Sequence, residues 1–139
     1  MPRFRFRLQK LLDYRRLQEK WAKDAWLDAQ RRRIDVERDI DAVRVERTGM
    51  MESKPLSLAD HQALERYLTR LDDQERAHQA LVAILEDEEE EARQAWLAAR
   101  QEAHALEILR EGALADWKKF EEREEQKALD EWAVLRRVA

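Results

Sequence analysis

From residue 57 to 138 the apolar side chains recur at alternating steps of four and three. The series runs Leu64, Leu68, Leu71, Val82, Leu85, Ala92, Trp96, Ala99, Ala103, Leu106, Ala113, Trp117, Phe120. A sustained period of 3.5 residues predicts a coiled-coil helix. The stretch has no proline, and Gly112 is its only glycine. The same rhythm appears earlier, in Leu8, Leu12, Arg15, Glu19, Ala22, Trp26, Ala29, Arg33, Val36, Ile40 and Val43. Thr48-Gly49 is expected to end this first helix, with Gly49 in the left-handed C-terminal position. Lys54 before Pro55 is pushed out of helical geometry. Ser57 reads as an N-cap, with Asp60 three residues on.

The expected organisation is a single elongated domain over residues 1–139, with helices at 4–47 and 58–137 and a loop at 48–57. The fold class is all-α: two long helices in an antiparallel coiled-coil hairpin, the second longer and overhanging. A turn centred near residue 52 fixes a register in which opposed residue numbers add to about 104. Leu12 would then face Ala92, Ile40 would face Leu64, Arg15 would meet Glu89, and Arg32 would lie beside Asp72 and Asp73. In that register residues 101–139 have no partner, yet they carry Leu106, Leu109, Ala113, Trp117, Phe120, Leu129, Trp132 and Leu135. An apolar stripe left bare in this way marks a binding surface, or the seam of a fold-back or dimer.

Charge sharpens the register argument. The chain is 42% charged with a net of −4, but the signs are segregated. Residues 1–33 hold eleven Lys/Arg against four Asp/Glu, a net of +7, whereas residues 86–91 are unbroken acid. Opposed along a hairpin, these runs select among registers more than they stabilise, because exposed pairs contribute only about 0.2–1 kcal/mol each.

Composition narrows the chemistry. Without cysteine there is no disulfide framework and no thiolate metal site. Two glycines cannot build a phosphate-cradling loop. His61, His78 and His104 lack i, i+4 spacing, so no metal is expected. The carboxylates lie on solvated helix with no cleft to shift a pKa, so no catalytic residue and no cofactor are expected. Trp21, Trp26, Trp96, Trp117 and Trp132 lie on or beside the seam, which assigns them to packing rather than base stacking. No apolar run reaches the roughly 20 residues of a membrane span. The basic opening lacks the apolar core of a signal peptide, so the cytoplasm is the expected compartment. The Arg3-Arg5-Arg7 and Arg31-Arg32-Arg33 clusters leave a nucleic-acid reading open, weakened by interleaved acids.

Two stretches carry a family resemblance. Phe4-Arg5-Phe6-Arg7-Leu8-Gln9-Lys10-Leu11-Leu12-Asp13-Tyr14-Arg15-Arg16, followed by Glu19, resembles the opening of the flagellar export family FliJ. Glu125-Gln126-Lys127-Ala128-Leu129-Asp130-Glu131-Trp132-Ala133 resembles the family's C-terminal segment. The injectisome stalk family (YscO-like) shares the architecture. The resemblance implies a non-enzymatic stalk of the flagellar type III export apparatus, similar in fold to the coiled coil of the F1-ATPase gamma subunit. The implied partners are the hexameric export ATPase FliI, the export gate protein FlhA and export chaperones. The protein would sit at the cytoplasmic face of the flagellar base, reaching the membrane only through its partners. The implied ATPase contacts are Phe4, Phe6, Leu106, Trp117, Phe120 and Trp132. The implied gate contacts are Tyr67, Leu71, Gln74 and His78. A coiled-coil tether without an ATPase partner is the alternative.

Overall fold

The computed structural model describes residues 3–138 and contains two α-helices, α1 (Gln9–Met51) and α2 (Leu58–Val138). They form an antiparallel helical hairpin. Both seams lie where the four-three rhythm places them. On α1 the residues turned away from solvent run from Leu12 through Arg15, Glu19, Ala22, Trp26, Ala29, Arg33, Val36, Ile40 and Val43. On α2 they run from Leu64 to Trp117, and they include Glu75, His78, Glu89 and Arg110 as well as the apolar positions. Phe120 falls off this line and is 57% exposed.

The helix boundaries follow local chemistry. At the start of α1, the N–H of Leu12 donates to the carbonyl of Leu8, 2.9 Å away. Residues 3–6 are not helical, so the first helix begins later than residue 4. Gly49 does not end α1. The helix runs through it to Met51 with no positive φ. The extra turn places Met50 on the seam, half-buried, which offsets the intrinsic cost of a helical glycine. Ser57 does cap α2: its Oγ accepts from the N–H of Asp60 at 3.1 Å. Gly112 lies within an unbroken α2.

Contacts divide the chain into two packed segments. One joins the residues up to Lys20 with those from Leu97 onward, and the other is Trp21–Trp96. In the second, Ala29, Ile40, Val43, Leu71 and Leu85 are buried. Trp26 stacks on Trp96, with ring centroids 5.1 Å apart and planes 17° from parallel. In the first, Leu12 and Ala103 are buried, and the Phe4 and Trp117 rings lie 5.9 Å apart.

The register differs from the expected one. Arg15 pairs with Glu102, not Glu89, at 2.5 Å. Glu89 pairs with Arg33, and Arg32 is 4.0 Å from Glu88 rather than beside Asp72. Opposed numbers add to 117 for Arg15 with Glu102 and to 122 for Trp26 with Trp96. These pairs leave no place for Leu12 on Ala92 or Ile40 on Leu64.

The cause is the loop. After a turn in which the N–H of Ser53 donates to the Met50 carbonyl, 3.1 Å away, the chain runs back beside the first turns of α2. Ser53, Lys54, Pro55 and Leu56 line one groove with Asp60, Ala63, Leu64 and Tyr67. Extended chain covers about 3.3 Å per residue against 1.5 Å in a helix, so a few non-helical residues offset roughly twice as many helical ones. The end of α1 therefore meets α2 well past its start, with Arg47 on Asp72 at 3.0 Å.

Candidate interaction surfaces

In the segment containing both the first and the last described residues, the N-terminal strap lies on α2. Phe4 and Phe6 are half-buried there, against a seam to which Leu106 and Trp117 belong. Arg110 sits over the Phe4 ring, 5.6 Å from its centre, and its Nε donates to Gln9 Oε1 at 2.9 Å. Four of the six expected ATPase contacts thus already pack on one another or on the seam. Residues expected to lack a partner, such as Ala103 and Trp117, have one.

The bare surface starts later. Every described residue from 122 onward is exposed. Leu129, Trp132, Val134 and Leu135 present apolar side chains there, with Trp132 at 59% exposure. Short-range contacts hold this length of helix in place of a second helix. Gln126 Nε2 donates to Asp130 Oδ1 at 3.0 Å, and Arg136 lies 5.1 Å over the Trp132 ring. Of the expected ATPase contacts, Phe120 and Trp132 remain free to meet another molecule.

In the other segment, Tyr67, Leu71, Gln74 and His78 lie along α2 beside a charged cluster. Leu71 is buried in the seam at 2% exposure, Tyr67 and His78 are half-buried, and Gln74 is exposed. The Tyr67 hydroxyl donates to Glu46. Next to them, Glu75 accepts from Arg44 at 2.6 Å and from Arg47. These two guanidiniums, Arg44 first, hold the Glu75 carboxyl below the usual carboxylate range, while Glu75 raises Arg47. The Glu89 carboxylate, with Glu37 behind it, likewise raises Arg33. The exposed Met51, Leu56 and Leu58 beside this stretch escaped sequence reasoning. Their only signal was apolar residues flanking Pro55 and Ser57 outside the heptad rhythm.

Two helices whose apolar surface is covered over part of their length define a class: a coiled-coil hairpin. Among the described residues no helix is long and apolar enough to cross a membrane. A family model described as the flagellar FliJ protein matches residues 4–138. The chain belongs to that family, and so to the structural components of the flagellar type III export apparatus. No curated protein and no solved structure matches the chain.

Proposed function

We propose that this chain is the central stalk of the export apparatus and has no catalytic role of its own. It binds the hexameric export ATPase FliI and promotes its assembly and activity. It links the ATPase to the export gate protein FlhA and handles export chaperones, at the cytoplasmic face of the flagellar base. The observation that carries this reading is the bare apolar stripe after residue 121 in a member of this family. The ATPase contact centres on Phe120 and Trp132, with Phe4, Phe6, Leu106 and Trp117 supporting the seam beside them. The gate contact centres on Tyr67, Gln74 and His78, with Leu71 as the buried residue that holds α2 in place.

The test is a pair of double variants. Phe120→Ala with Trp132→Ala should lower stimulation of the ATPase at least tenfold, since a central aromatic anchor is worth about 2 kcal/mol or more. It should leave helicity and gate binding intact. Tyr67→Ala with Gln74→Ala should weaken gate binding and spare stimulation. Equal loss of both activities in both variants, at matched folded fraction, would refute the assignment. A stable dimer that ignores the ATPase would favour the tether.

A further inference from the structure

The N-terminal strap has two unlike sides. Along residues 3–8, Phe4, Phe6 and Leu8 are half-buried while Arg3, Arg5 and Arg7 are exposed. Over residues 3–6 this period-two alternation is that of extended chain, in which successive side chains point to opposite faces, and Arg7 and Leu8 then turn into α1. The aromatic side is fixed on α2 by the Trp117 ring and the Arg110 guanidinium. Arg3 and Arg5 therefore stand outward about 6.6–7 Å apart, and Arg7 is exposed in the turn that follows. A groove of about 510 Å³ runs along the strap. Its lining holds four cations, Arg5, Arg7, Lys10 and Arg110, and no carboxylate.

Arg15, Arg16, Arg33, Arg44 and Arg47 each meet a glutamate on the opposite helix. Arg3, Arg5, Arg7 and Lys10 meet no carboxylate among the described residues. The first turn of α1 contains no acidic side chain, so the positive end of that helix adds to the same field.

We propose that the strap is a docking surface for an anionic phospholipid membrane, touched directly rather than through partner proteins. A protein interface is normally built around a desolvated apolar centre. Here the aromatics that would supply one are turned inward, and what remains outward is charge alone. Clusters of four to eight Lys/Arg are the size that anionic lipid surfaces attract. Arg3, Arg5, Arg7 and Lys10 together can neutralise about four phosphates, fewer than the roughly six to ten contacts of a strongly salt-dependent DNA binder.

The experiment is vesicle co-sedimentation of the full chain. The vesicles are phosphatidylcholine alone, or phosphatidylcholine mixed with phosphatidylglycerol. Binding should require phosphatidylglycerol and should fall steeply as salt rises from about 0.05 to 0.5 M, where the screening length shrinks several-fold. Each arginine contributes about fivefold, so Arg3→Gln with Arg5→Gln and Arg7→Gln should weaken binding well over tenfold. The matching lysine triple should retain it. Arg38→Gln with Arg66→Gln and Arg70→Gln, the same charge change elsewhere, should bind as the parent does. Circular dichroism melts establish that all variants are folded. Equal binding to neutral vesicles, or parental binding by the strap glutamine triple, would overturn the proposal. So would displacement from vesicles by millimolar inorganic phosphate, or by a DNA oligonucleotide at lower phosphate concentration than the lipid.

Discussion

Arg33 and Glu89 meet across the hairpin, with both side chains largely withdrawn from water at 22% and 17% exposure. Each sits on its helix's seam, in a position where an apolar residue would ordinarily stand. Arg33 also reaches Glu37 on its own helix, 3.0 Å away. The pair is therefore both a contact and a statement of register.

Removing one member leaves the other partly desolvated and unpaired, which costs more than removing both. Arg33→Ala or Glu89→Ala alone should destabilise by about 1–3 kcal/mol, and the double variant by less than their sum. Arg15→Ala combined with Glu89→Ala should be additive, because Arg15 pairs with Glu102 instead. Urea denaturation of the two cycles distinguishes them. Coupling between Arg15 and Glu89 with none between Arg33 and Glu89 would reject the register described.

The seams were legible in the sequence because burial and period are the same fact: nearly every residue of the four-three series is turned from solvent. Register was not. A four-three seam meets another seam position at many offsets, and arginines and glutamates recur along both helices, so the sequence offered Arg15 for Glu89 where the structure places Arg33. What decides is the path of residues 52–57. Nothing in Pro55 or Ser57 says whether the chain there turns at once or runs extended along α2. The surface split in the same way. Trp132 was identified as exposed apolar surface, whereas Phe4 and Trp117 turn out to cover each other. That contact follows from register and was invisible without it.

Acid should loosen the Arg44–Glu75–Arg47 cluster. The folded-state pKa of Glu75 lies below its ordinary value of 4.5, so ionised Glu75 favours the folded form. That stability is present above the unfolded pKa and is lost as pH falls through the folded one. Below about pH 4.5 the parent should lose stability faster than Glu75→Gln, and at neutral pH it should be the more stable of the two. Denaturant midpoints measured between neutral pH and pH 3 test this; parallel curves would show that the cluster contributes nothing.

Neither glycine is required by the fold. Gly49 and Gly112 are both helical, and a Cβ added at either meets nothing within 4 Å. Gly49→Ala and Gly112→Ala should each stabilise by about 0.5–1 kcal/mol, through helix propensity and a less flexible unfolded chain. Thermal melts followed by circular dichroism should rise for both. A fall at Gly112 would mean that this position bends in solution.

Among the described residues, none covers the last turns of α2. Helices of that length are marginal in water when isolated, but these turns grow from a helix already anchored by paired residues upstream, so the unfavourable nucleation step is already complete. Lys127 to Glu124, Gln126 to Asp130 and Arg136 over Trp132 then brace it turn by turn. On the proposed function, a binder would therefore meet a helix that is already wound. Little backbone entropy is left to lose on association, and recognition reduces to burying one narrow apolar stripe.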